Sequence, residues 1–390
     1  MAKDWTEDDI SDQSGRVAVV TGANSGIGLD TARALARSGA SVIMACRDLE
    51  KANIAAEHIK ELDPAGIVVV MHLDLADLDS VRSFASLFRE SYGRLDLLIN
   101  NAGLGELPYG KTAQGFELHF GVNHLGHFAL GGLLFDLLDS CEGSRIVTVS
   151  SLGHRAGSIH FEDLNWEGSY PPQLPYSQSK LANLLFTFEL HRRLASAGRR
   201  TIAVAAHPGW CDTKMMQKSF YRILGSTFAQ VPAMGALPSL YAATAPEVRG
   251  GEYFGPSGFM EFRGCPKKVG SSRRSRDEAV ARRLWTVSEN GLVARRDVSG
   301  DQGCSRLCAE SRRFTGHQLL PASMAKREIL LDASRRGLYS GSLQDARAVE
   351  RAIIPVERIG GPIILVSGTD DKVWPSSMIC TFVTERLARA

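Results

Sequence analysis

Apolar residues along the first two thirds of the chain fall into two alternating patterns. Short, largely β-branched runs at 17–21, 41–45, 67–73, 95–100, 145–150 and 201–206 predict strands. Between them, apolar positions recur at helical spacing over 27–38, 48–62, 79–92, 115–138 and 177–197. Strands alternating with helices of this length make βαβ units around a parallel sheet covered on both faces. The runs VAVV, IVVV and LLI are continuously apolar, as central parallel strands require. A further short strand is expected at 251–254. The fold class is α/β: a doubly wound parallel sheet of Rossmann type with an irregular C-terminal extension.

The pattern changes after Gly264. Residues 265–350 are rich in Arg, Ser and Gly, with paired arginines such as Arg273-Arg274 and Arg312-Arg313, and one amphipathic helix at 276–287. Interspersed acids and the lack of an aromatic ladder favour a solvated segment over a nucleic-acid site. Order returns from Ile353, with the apolar run 362–366, a turn at 367–371 and a helical stretch at 376–387. Three regions are expected: a dinucleotide-binding domain over 1–292, a poorly ordered Arg-rich linker over 293–348, and a strand–helix fragment over 349–390.

Composition narrows the class. The 390 residues carry 45 Lys+Arg against 43 Asp+Glu, so a net charge of +2 offers no global attraction to nucleic acid or anionic membrane. The seven cysteines are scattered and odd in number, which fits free thiols in a reducing, cytoplasmic compartment. Residues 1–13 are acidic and lack a signal peptide's apolar stretch. No apolar run reaches the roughly 18 residues of a membrane span.

The chemistry begins at Thr21. TGANSGIG, residues 21–28, follows the first strand and opens the first helix. Gly22, Gly26 and Gly28, with Asn24, Ser25 and Ile27, allow a tight turn and bring backbone N–H groups up to a pyrophosphate. About 20 residues on, a free ribose 2′-hydroxyl wants a carboxylate. Cys46 stands near that place and Arg47 follows, and a guanidinium suits a 2′-phosphate instead. NADP(H) is therefore preferred over NAD(H). Asp48 is expected to point away from Arg47 and to cap the next helix.

In YSQSK, Tyr176 and Lys180 lie on one helix face. A phenol titrates near pH 10, and a neighbouring ammonium favours its phenolate, so Tyr176 can serve as general acid or base. Ser150 and Ser151 end the fifth strand at the carboxyl edge, where such sheets bind ligands. His207 and His124 lack partners at metal-ligand spacing, and no metal is expected.

Taken together, TGANSGIG (21–28), LDL (73–75), NNAG (100–103), GVNHLGHF (121–128), VSS (149–151), YSQSK (176–180) and HPGW (207–210) resemble the short-chain dehydrogenase/reductase family over 12–292. ACRD, NHLGHF and SKLAN are most similar to its retinol-dehydrogenase and protochlorophyllide-reductase-like branch. The resemblance implies a catalytic set of Asn123, Ser151, Tyr176 and Lys180. Tyr176 exchanges the proton, Lys180 tunes it and grips the ribose, Ser151 orients substrate, and Asn123 joins a water-mediated relay. Ser151 is chosen over Ser150 on that branch's spacing, with 152–175 read as an insertion. Asp74 and Leu75 would flank the adenine; Asn100, Ala102 and Gly103 would line the groove; Pro208, Gly209 and Thr213 would touch the nicotinamide end. Family members often pair through helices beside the active site, so a homo-oligomer is expected.

The stretch 211–231, bearing Met215, Met216, Phe220, Tyr221, Ile223, Leu224 and Phe228, reads equally as a core helix or as a lid over an apolar pocket. A small lipophilic carbonyl or alcohol is the expected substrate. Residues 349–387 resemble the end of an α/β-hydrolase of the acyl-CoA thioesterase and bile-acid-CoA acyltransferase type, with Asp371, or else Asp370, in the triad-acid position. No nucleophile elbow occurs, and His317 is the last histidine. The fragment is expected to be chemically silent. The leading reading is an NAD(P)-dependent oxidoreductase. The alternatives are a silent dinucleotide-binding scaffold and an acyl-CoA hydrolase.

Overall fold

The computed structural model describes residues 4–211 and 229–294. Six apolar runs become parallel strands: β1 Val17–Thr21, β2 Ser41–Cys46, β3 Val68–His72, β4 Leu97–Asn100, β5 Arg145–Val149 and β6 Ile202–Ala206. β7 Tyr253–Pro256 adds in parallel, and β8 Pro266–Lys268 closes antiparallel to it. Sheet order is β3-β2-β1-β4-β5-β6-β7-β8. Strand order reverses between β1 and β4, the point at whose carboxyl ends such sheets bind ligands.

Helices α1 Gly26–Arg37, α2 Leu49–Lys60 and α7 Pro232–Thr244 cover one face. The other face carries α3 Leu78–Ser91, α4 Gly126–Leu133, α5 Phe135–Asp139, α6 Gln173–Ser196 and α8 Glu278–Ala294. Each face has its own apolar core, so β1 is buried at every position. Asp48 caps α2 as expected, accepting from the Lys51 N–H at 3.1 Å.

Four expectations change. The IVVV run forms the sheet's edge rather than its centre, leaving Ile67 63% and Val69 37% exposed. The single helix expected over 115–138 is broken into a π-helical stretch Phe120–Leu125, then α4 and α5. The helix expected at 276–287 forms as α8, but the arginines around it are not simply solvated. Arg276 lies 3.7 Å from the Phe188 ring centroid and Arg283 4.1 Å from that of Phe161, so aromatic faces take up these guanidiniums. Helix α7 has no counterpart in the sequence reading, because Pro238 interrupts its helical pattern. Among the described residues, no helix is long and apolar enough to cross a membrane.

Candidate active site

The glycine loop is shaped by steric need. Gly22 (φ +65°) and Gly26 (φ +56°) sit in the left-handed region that favours glycine. A Cβ on Gly22 would stand 3.0 Å from Ala102 Cα, and one on Gly28 would be driven into Asn101 Nδ2 and the Gly22 carbonyl. Ser25 makes no side-chain capping bond at the start of α1, which leaves first-turn N–H groups for an incoming anion. Asn24 and Ile27 are half-buried beside them.

One hydroxyl joins this loop to the rest. Thr21 Oγ1, fully buried, accepts from the N–H groups of Asn101 (3.0 Å) and Ala102 (2.9 Å). Asn101 Nδ2 donates to the Thr21 carbonyl at 2.8 Å. His127 Nδ1 lies 3.0 Å from the Asn123 carbonyl, which can only accept, so Nδ1 carries the hydrogen and Nε2 accepts from Thr21 at 2.9 Å. Burial holds His127 down to about 4, so it stays neutral.

Asn100 is buried at the end of β4. Its Nδ2 donates to Thr148 Oγ1 at 3.4 Å, and its Oδ1 has no partner. That orphaned atom, the glycine cradle and the uncapped α1 terminus fit a bound dinucleotide. At the far end of β2, Cys46 is buried and its thiol is pushed up to about 11, while Arg47 is exposed. Asp74 spends Oδ1 on the Ala76 N–H (2.9 Å), and Leu75 is buried with its carbonyl packed on Gly126. Pro208 accepts from Gln230 Nε2 at 2.7 Å. Gly209 (φ +69°) passes beneath the turn that carries Glu261. Thr213 and the apolar residues Met215 through Phe228 lie outside the described residues.

The four expected catalytic side chains converge at the carboxyl edge of the sheet. Asn123, in the π-helical stretch, is clamped: Oδ1 accepts from the Leu104 N–H (2.7 Å), and Nδ2 donates to the Leu104 carbonyl (3.1 Å) and Ser179 Oγ (2.9 Å). Ser179 in turn donates to the Tyr176 carbonyl at 2.7 Å. Lys180 Nζ donates to the Val149 carbonyl at 3.2 Å. A Cβ on Gly103 would lie 3.3 Å from Lys180 Nζ and 3.4 Å from Asn123 Oδ1, so both groups flank that glycine.

The two serines are distinguishable. Ser150 is buried and donates to the Lys180 carbonyl at 2.8 Å. Ser151 is half-buried and accepts from the Gly153 N–H at 3.1 Å. Gly153 lies against Tyr176, whose Cε1 a Cβ there would approach to 3.1 Å.

Burial pushes the Tyr176 phenol up, with the Ser151 hydroxyl opposing and Glu106 adding to the rise. Lys180, 5.9 Å from the ring centroid, is itself held down to about 8 by burial. The lowering of Tyr176 expected from its ammonium is not seen: burial, which disfavours the phenolate, is the largest influence on it.

His207 is buried, which holds it below its ordinary value; Nδ1 accepts from the Gly209 N–H at 3.2 Å, and Nε2 lies 3.2 Å from Glu261 Oε2. His124 bonds Ser288 at 2.9 Å. Among the described residues, no cluster of His, Cys, Asp and Glu could hold a metal ion. Thr21, Asn101, His127 and Ser179 were missed by sequence reasoning. Their only signal is position inside motifs already read.

Comparison with known proteins agrees. Residues 16–222 match the family model described as short chain dehydrogenase. Residues 303–390 match that of the BAAT / acyl-CoA thioester hydrolase C terminal, a match that begins well upstream of 349. Retinol dehydrogenase 11 of Mus musculus is 46% identical over 278 residues, covering 70% of this chain and 85% of that protein. Retinol dehydrogenase 14 of Homo sapiens is 44% identical over 298 residues, with the same shares covered. A crystal structure of a protein from Mycobacterium Paratuberculosis aligns with TM-score 0.64 and 46% identity, over 74% of this chain and 97% of that one.

Proposed function

This chain belongs to the short-chain dehydrogenase family and is an oxidoreductase, and from that premise we propose that it is NADP(H)-dependent and interconverts a lipophilic carbonyl compound and its alcohol. The observation that carries the reading is the convergence of Asn123, Ser151, Tyr176 and Lys180 beside the glycine cradle. When bound, the dinucleotide supplies or takes up the hydride. The loop 22–28 and Asn100, Ala102 and Gly103 would hold it, with Pro208 and Gly209 at the nicotinamide end. Arg47 is free to meet a 2′-phosphate, while the neutral Cys46 thiol takes the place of a ribose-binding carboxylate.

The remaining chemistry belongs to the side chains. Ser151 donates to the substrate oxygen, and Tyr176 delivers a proton to it in reduction or removes one in oxidation. The Lys180 ammonium would return the proton to Tyr176 through water, and Asn123, clamped by Leu104 and Ser179, would help to fix that path. Retinol dehydrogenases 11 and 14 as relatives favour an extended apolar substrate.

The test is hydride transfer by purified protein with NADPH or NADH against a panel of apolar aldehydes. Tyr176→Phe is expected to lower turnover by roughly 10²–10⁴-fold while NADPH still binds. Full turnover by that variant would overturn the mechanism.

A further inference from the structure

A second buried polar cluster stands one ring away from Tyr176. Glu117 is fully buried, and both its carboxylate oxygens are engaged. Oε1 accepts from the His119 N–H (2.9 Å) and from the Tyr170 hydroxyl (2.8 Å), and lies 2.7 Å from His119 Nδ1. Oε2 accepts from the Phe120 N–H at 2.8 Å. His119 Nε2 meets the Gly105 carbonyl. A carboxylate this buried is retained only when every lone pair it presents is used.

The cluster joins three separate stretches of chain. Gly105 follows the NNAG motif, Glu117 and His119 precede the π-helical stretch that holds Asn123, and Tyr170 belongs to residues 152–175. Asn165, from that same segment, accepts from the Glu117 N–H at 2.9 Å. The His119 ring centroid is 6.3 Å from that of Tyr176 and 6.4 Å from that of Tyr170, so the imidazole lies between the two phenols.

Beyond Tyr170 opens a cavity of about 490 Å³, lined by Leu107, Pro108, Tyr109, Tyr170 and Pro172, with Glu106 and Gln173 as its polar members. Its size is that of a small-molecule site and its walls are largely apolar. Tyr109 and Tyr170 meet edge to face at 5.1 Å, forming one aromatic wall. Tyr170 alone belongs both to the wall and to the buried cluster. Its ring is fixed by its hydroxyl, which gives the wall a set position relative to Tyr176.

We propose that Tyr170 is a specificity-determining residue: tethered by Glu117, its ring forms the wall along which the apolar body of the substrate lies. This rests on the oxidoreductase reading above. Glu117 and His119 are then positioning residues, acting on substrate only through Tyr170. A short aldehyde does not reach the wall and a long one does, so the signature is a change in selectivity rather than a general loss of rate.

The experiment compares kcat/KM for a ten-carbon and a three-carbon straight-chain aldehyde, using the full chain with NADPH. Tyr170→Ala is expected to reduce the long-to-short ratio by roughly tenfold, mainly through KM for the long aldehyde. Tyr170→Phe, which keeps the ring and loses the tether, is expected to fall between Ala and wild type. Glu117→Gln should shift the ratio in the same direction as Tyr170→Phe. NADPH affinity, read by fluorescence, reports that each variant is folded. An unchanged ratio in a Tyr170→Ala protein that binds NADPH would overturn the proposal. Wild-type protein that turns over neither aldehyde would instead overturn the oxidoreductase reading, and this inference with it.

Discussion

Three histidines sit where an imidazolium cannot be hydrated. Burial holds His124 down to about 3 and His127 and His154 down to about 4. His154 donates from Nδ1 to the Ser151 carbonyl (2.7 Å) and accepts from the Ser272 N–H (3.1 Å), so its bonds require the neutral ring. In each case the folded value lies below the unfolded one of 6.5. As pH falls, the unfolded chain takes up protons first, so this stability is complete above about 6.5 and lost below it, at ~1.4 kcal/mol per pH unit for each histidine. The carboxylates with depressed values, Glu117 and Asp136 among them, act only below their own range. Urea midpoints should therefore fall steeply from pH 6.5 to 4.5, and a flat profile across that window would contradict the assignment. At this scale the candidate site is legible where motifs are local: the glycines at 22, 26 and 28 and the Tyr176–Lys180 pair can be picked out from neighbouring letters, and Arg47 is proposed on the same ground. Thr21, His127 and Ser179 cannot be picked out so, because each acts on a residue brought up from a distant part of the chain.

Among the elements, α8 carries the largest unexpected burden. Trp285 is 2% exposed and stacks on Phe186 with centroids 5.9 Å apart, and it meets Phe128 edge-on at 4.9 Å. Arg193 lies 4.4 Å from its ring centroid and Glu289 accepts from its indole N–H at 2.9 Å. His124 reaches Ser288 on the same helix. α8 thus braces the outer faces of α4 and α6, the helix bearing Tyr176. Trp285→Ala should lower unfolding free energy by about 3–5 kcal/mol, measured by denaturant titration. A change under about 1 kcal/mol would mean that the face is held by other contacts. The positions of β1 to β7 were readable to within a residue or two from their apolar runs, while β8, with its exposed lysines, was not read at all. What apolar content could not tell was rank in the sheet: IVVV looks like a central strand and lies at the edge. The arginines near α8 read as solvated because stacking on Phe188 and Phe161 is a tertiary event.

For the whole molecule, among the described residues stand the sheet from β1 to β8, its helices and the candidate site apart from Thr213. The region matching the acyl-CoA thioester hydrolase C terminal begins at 303, and Asp370 and Asp371 lie outside the described residues. We propose that the dinucleotide-binding unit is complete without that region. A chain ended after Ala294 should bind NADPH and reduce an apolar aldehyde with kcat/KM within about threefold of the full chain. A loss beyond tenfold would assign the remainder a part in catalysis. The sheet's reversal between β1 and β4 adds a last consequence. Thr21 ends one strand, and Asn101 and Ala102 follow the other, so past the last rung of the β1–β4 ladder one hydroxyl continues the join and also reaches α4 through His127. Parting β1 from β4 at their carboxyl ends would therefore break ladder rungs and the Thr21 bonds together.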